Sequence, residues 1–158
     1  MSRGTYSAVG QTTSSGDSVV LLDTHMLVWY VENERTRFSR RIEPVVEAAV
    51  DRGELLVSTI SVWEIAMLQA SRRLELVQDV RTWVGRALSF PGVRLKGLSP
   101  SIAIESTRLP GTPRRDPADR ILIATARLIG ATLVTCDAAI LSYAGDGHVR
   151  VLDARPRR

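Results

Sequence analysis

Four carboxylic acids stand where strand-like runs of this sequence give way to helix-like ones. Asp23 follows Val19-Val20-Leu21-Leu22 directly, and Asp137 comes just after Thr132-Leu133-Val134-Thr135. Glu64 lies early in a helix that follows the run Leu55–Thr59, and Asp119 lies with Asp116 at the start of another. A carboxylate at the end of a buried strand is unfavourable unless hydrogen bonds or a cation compensate it. Each acid also has a purely structural reading. Asp23 and Asp137 fit helix caps or turns, and Ser61 with Glu64 fits a capping box. Asp116, Pro117 and Asp119 fit the N-cap, N1 and N3 positions of an ordinary helix start.

Taken together, the acids are harder to explain by capping alone. Three of the four follow a predicted buried strand, and in a parallel sheet such junctions fall on one edge. Acids gathered there raise one another's pKa and repel unless a cation lies among them. The donor chemistry narrows the choice of ion. Cys136 is the only cysteine, and His25 and His148 are the only histidines. Neither a disulfide nor a Cys/His zinc site can form within the chain. The ligands must be oxygen, which favours Mg²⁺ or Mn²⁺. Arg114, Arg115 and Arg120 lie near Asp116 and Asp119, where guanidinium groups neutralise carboxylates or hold phosphates.

The elements that must position these acids read as alternating strands and helices. Ser18–Leu22 is short, β-branched and unbroken, as expected of a buried parallel strand, and Thr24–Val31 has helical character. Residues 39–52 show Ile42, Val45, Val46, Ala49 and Val50 at helical spacing, stopped by Gly53. Leu55–Thr59 is a second strand, followed by helices over Ser61–Arg73 and Asp79–Leu88. Val93–Leu95 is a short strand after the Pro91-Gly92 turn. Ser99-Pro100 opens a helix running to Arg108. Residues 110–117 form a Pro-rich loop, and the helix beginning at Asp116-Pro117 ends at Gly130. Thr132–Thr135 and Val149–Leu152 are the last strands. Strands alternating with helices imply an α/β fold with a parallel sheet covered on both faces. Ligands bind such sheets beyond the carboxyl ends of the strands, where Asp23 and Asp137 fall.

The whole chain of 158 residues suits one domain with a real core, being 44 % hydrophobic and 24 % charged. Residues 1–17 read as a disordered polar leader, 18–153 as the domain and 154–158 as a basic tail. The net charge is +4, and Lys96 is the only lysine. Arginine carries the rest of the positive charge, which suits a nucleic-acid partner and equally an arginine-rich genome. No apolar run is long enough to span a membrane, and the leader lacks the apolar middle of a signal peptide. A cytoplasmic protein is expected.

The stretches LLDTHMLVWYV, STISVWEIAM, RRDPADRILIATA and LVTCDAAI, which carry the acids, resemble the PIN domain. More closely, they resemble the VapC-type toxins of bacterial toxin–antitoxin pairs. The resemblance runs from about Val19 to Leu152. It implies a three-layer α/β/α sandwich and Mg²⁺- or Mn²⁺-dependent endonucleolytic cleavage of RNA. It also implies a homodimer and a cognate antitoxin that inserts a segment near the acidic pocket. By position, Asp23, Glu64, Asp119 and Asp137 correspond to the four family acids. Asp116, His25 and Thr135 are expected to stand behind them, supporting rather than ligating. Two rival readings remain: a metal-dependent DNA 5′ nuclease or phosphatase, and a non-catalytic domain that binds nucleic acid or a partner.

Overall fold

The computed structural model describes residues 19–113 and 115–157. The predicted leader and Arg114 lie outside the described residues. Five strands make one sheet: β1 (Val20–Leu22), β2 (Leu55–Ser58), β3 (Val93–Lys96), β4 (Thr132–Thr135) and β5 (Val151–Asp153). Their order is β3-β2-β1-β4-β5, and every pairing is parallel. The helices are α1 (Thr24–Val31), α2 (Glu43–Asp51), α3 (Thr59–Ala70), α4 (Val80–Ser89), α5 (Pro100–Ser106), α6 (Pro117–Ile129) and α7 (Ala138–Gly145). The α/β/α sandwich expected from the sequence is the fold observed.

Side-chain alternation along the strands builds the two cores. Val20 and Leu22 of β1 face one way, with Leu55, Val57 and Val134 beside them. Met26 and Leu27 of α1, Val46 of α2 and the fully buried Trp83 of α4 cover that face. Leu21 and Leu133 face the other way, under Ile102 of α5, Leu122 and Ile123 of α6, and Ile140 of α7. Trp83 places its indole N–H on the carboxylate of Glu32, so its one polar atom is satisfied inside an apolar layer.

Two glycines are required by the backbone. Gly130 ends α6 in the left-handed conformation at φ 66°, as its place after the helix predicts. Gly92 has φ 82°, and a Cβ there would stand 2.0 Å from the carbonyl oxygen of Val50. The 91–92 turn therefore runs too close to α2 for any side chain.

Several boundaries differ from the sequence reading. The helix expected over 39–52 is a 3-10 turn, Arg40–Ile42, leading into α2. The last strand is Val151–Asp153 rather than 149–152. The main correction is at α3. Ser58, not Ser61, is its N-cap, with Oγ accepting from Ile60 N at 3.2 Å. The Ser61–Glu64 capping box therefore does not form. Ser61 lies inside the first turn, fully buried, and Glu64 is one turn further on, on the same helix face.

Candidate active site

The chain winds outward from β1 through β2 to β3, then returns to add β4 and β5 on the other side. The strand order thus reverses between β1 and β4, the place where open α/β sheets form ligand crevices. Leu22 pairs with Val134 in the register, so Asp23 emerges beside Thr135. Asp23 N donates to Val134 O at 3.1 Å, which holds the acid against the end of β4. Asp137 follows two residues after Thr135. Because α6 leads back into β4, its N-terminus, with Asp116 and Asp119, lies at the same carboxyl edge of the sheet.

Three of these acids share their oxygens between a helix and the site. Asp23 Oδ1 accepts from Met26 N at 3.1 Å and caps α1. Asp116 Oδ1 accepts from Asp119 N at 3.0 Å and caps α6. Asp137 Oδ1 accepts from Ala139 N and Ile140 N at 2.9 and 3.0 Å and caps α7. Three helix N-termini therefore point at one acidic edge, and their partial positive charge offsets part of its negative charge. Thr135 links two of the acids: its hydroxyl donates to Asp23 Oδ2 and accepts from Asp137 N at 2.9 Å.

Asp23 is only 6 % exposed. Burial raises its carboxyl above the ordinary range, and the bonds from Thr135 and Met26 only partly oppose this. Glu64 is also raised, first by burial and then by the charges of Asp116 and Asp23, while Thr24 and His25 act the other way. Glu64 thus lies within electrostatic reach of both acids. Thr24 Oγ1 and Ser61 Oγ are 3.0 Å apart and buried, and Thr24 also reaches Glu64. This hydroxyl pair escaped the sequence reading. Ser61 passed for a helix cap, and Thr24 carried no signal beyond following Asp23.

The remaining sequence-predicted residues fall in different places. His25 is exposed and stacks at a tilt on Trp29, with centroids 5.8 Å apart. Asp119 is partly buried on the first turn of α6. Arg115 is exposed in the loop before α6. Arg120 turns toward α5, where Nη1 donates to Ser106 O at 3.3 Å, and so braces the two helices.

The donor set fits a hard divalent cation: the acids supply only oxygen, and Asp23 and Glu64 are both raised by burial. As the side chains stand, no three His, Cys, Asp or Glu among the described residues are drawn together closely enough to hold an ion.

A parallel α/β/α sandwich with acids from β1, α3, α6 and the end of β4 at one edge defines a class of single-domain proteins with an acidic, oxygen-only site. Within that class, the chain belongs to the PIN domain family, whose model matches residues 20–146. It is 36 % identical over 126 residues to Ribonuclease VapC22 of Mycobacterium tuberculosis, spanning 80 % of this chain and 92 % of that protein. Its fold is similar to a chain of VapBC2 from Rickettsia felis bound to a DNA fragment from their promoter. That match has a TM-score of 0.62 and 13 % identity, and covers 85 % of this chain and 98 % of the other. DNA-bound VapBC from Salmonella typhimurium gives 0.60 and 16 %, covering 85 % and 96 %. At these identities the two structures support the fold alone.

Proposed function

We propose that this protein is a divalent-metal-dependent endoribonuclease and the toxin of a toxin–antitoxin pair. What supports the reading is that Asp23, Glu64, Asp116, Asp119 and Asp137 all stand on helix starts or within the first two turns at the carboxyl edge of the sheet, around the β1–β4 switch point. The likeness to Ribonuclease VapC22 favours RNA over the DNA 5′ nuclease, phosphatase and non-catalytic alternatives. Asp23, Glu64, Asp119 and Asp137 would hold Mg²⁺ or Mn²⁺. The chemistry that the ion supplies there is activation of a water and neutralisation of charge developing on the phosphate.

The chain's own residues do the positioning. Thr135 fixes the Asp23 carboxylate and the backbone of Asp137, Thr24 with Ser61 supports Glu64, and the starts of α1, α6 and α7 favour an incoming phosphate. Arg114 and Arg115 supply charge for phosphate near Asp116.

The partners in this reading are the RNA substrate, a cognate antitoxin protein and a second copy of the chain. Exposed Trp63 and Met67, four residues apart on one face of α3, support the homodimer. Among the described residues no helix is long and apolar enough to cross a membrane, and the reading places the protein in the cytoplasm with its RNA.

The test offers purified protein RNA, DNA and a small phosphomonoester, with Mg²⁺ and with EDTA, beside the Asp23→Asn variant. Cleavage of RNA alone, lost in EDTA and in Asp23→Asn, is the expected result. In-line attack by water leaves 5′-phosphate and 3′-hydroxyl ends. A folded Asp23→Asn protein with undiminished Mg²⁺-dependent cleavage would refute the assignment.

A further inference from the structure

The carboxyl edge of the sheet carries a second cluster of charge, positive rather than negative. Because all strands are parallel, β5 ends on the same edge as β1 and β4. The chain leaving β5 is stitched down on both sides. Ala154 N donates to Thr135 O at 2.9 Å, and Ser39 N donates to Ala154 O at 2.8 Å. These bonds hold the segment before α2 beside the last described residues. Between them lies a cavity of about 440 Å³ lined by Arg41, Arg155, Arg157 and Asp153, with Leu152 and Pro156 among its apolar walls.

Three guanidinium groups here face one carboxylate. Asp153 is gripped by Arg155 at 2.7 Å (Nη2 to Oδ2) and 3.0 Å (Nε to Oδ1). This pairing first, and Arg41 last, hold the Asp153 carboxyl below its usual range. The cavity keeps an excess of positive charge, and Arg41, Arg155 and Arg157 are all exposed to solvent.

Thr135 ties this cleft to the acidic site. Its carbonyl accepts from Ala154 N at 2.9 Å, at the root of the cleft, while its hydroxyl donates to Asp23 Oδ2 and accepts from Asp137 N at 2.9 Å. The basic cleft thus adjoins the acids, and neither Arg115 nor Arg120, the arginines suggested by sequence proximity, lines it.

We propose that this cleft holds the backbone of single-stranded RNA beside the bond to be cleaved, with Arg41, Arg155 and Arg157 on phosphates and Leu152 and Pro156 under a base or ribose. Guanidinium groups suit phosphate bidentately, and an apolar wall beside them suits an unstacked nucleotide. The volume falls in the range of small-ligand sites and so accommodates a nucleotide-sized unit. The proposal rests on the ribonuclease reading for the identity of the nucleic acid.

The experiment compares Arg41→Ala/Arg155→Ala/Arg157→Ala with Arg73→Ala/Arg81→Ala/Arg94→Ala, which removes equal charge from exposed positions on α4, on β3 and just past the end of α3, across the sheet. Both sets are made in the Asp23→Asn background, and binding of a short labelled single-stranded RNA is followed by fluorescence anisotropy across a salt series. The cleft variant is expected to bind about tenfold more weakly. Its slope of log K against log salt should flatten by about 2, the share of three phosphate contacts on a single strand. The control set should keep the wild-type slope. Equal losses in both sets, or an unchanged slope in the cleft variant, overturn the proposal. So does unchanged RNA affinity together with weakened binding of a polyglutamate peptide, which would assign the cleft to an acidic protein segment.

With the acids intact, the cleft variant should raise KM for RNA. Cleavage by the wild type with unchanged KM in the cleft variant would sink the cleft and leave the ribonuclease reading standing. Weakened RNA binding in the cleft variant of a protein that cleaves no RNA would do the reverse.

Discussion

Replacing Thr135 by Val removes a hydroxyl that ties two acids together while keeping the side chain's shape. Thr135 is fully buried, donates to Asp23 and accepts from Asp137 N. Losing a hydrogen bond to a charged, buried partner costs about 1.5–3 kcal/mol, and a stranded N–H costs about 1–3 kcal/mol more when buried. The Asp137 N–H is only partly buried, so the low end applies, and the added methyl returns about 0.8 kcal/mol. The net loss is about 2–3 kcal/mol, which for a domain of this size lowers Tm by about 4–12 °C. Asp23 also loses the bond that most favours its ionised form, so Mg²⁺ should be held about 10–100-fold more weakly. Thermal melts in EDTA followed by Mg²⁺ titration of cleavage measure both effects, and Thr135→Ser should restore the Mg²⁺ dependence. A Thr135→Val protein that melts with the wild type and needs no more Mg²⁺ would show that Thr135 only fills space.

Two further outcomes follow from the same physics. Gly92→Ala forces a Cβ onto the Val50 carbonyl at a positive φ, so urea denaturation should show a loss of at least about 3 kcal/mol; a loss below about 1 kcal/mol would mean that the 91–92 turn moves freely. The Asp23 and Glu64 carboxyls are raised on folding from ordinary values of 3.8 and 4.5, so the metal-free folded protein keeps protons that the unfolded chain releases. Its stability should therefore fall as pH rises above those values toward neutrality. Asp23→Asn should lessen that fall and raise Tm at neutral pH in EDTA, whereas a drop in Tm would show that the buried charge is already compensated.

The sequence revealed the sheet well because its strands are short, β-branched and bounded by Gly, Pro or an acid. Asp23 and Asp137 were placed correctly by their position after β1 and β4. Glu64 was assigned to a helix start, but its local pattern gave the wrong cap. Ser58, rather than Ser61, ends a buried strand at the point where α3 begins, and only the partner Thr24 explains why Ser61 faces inward. Arg120 shows the limit of proximity along the chain: adjacent to Asp119 in sequence, it points to Ser106. Arg41 and Arg155 could not be paired from sequence, because the stitch through Ser39, Ala154 and Thr135 joins segments far apart in the chain.

The double use of the capping aspartates has a genetic consequence. An Asp codon becomes an Asn codon by one G-to-A transition, and Asn caps helices as well as Asp does. At Asp23, Asp116 and Asp137 such a change keeps the helix start and withdraws the charge. If the protein restrains growth, cells that escape it should carry these Asn alleles, still folded and still presenting every outer surface to a partner.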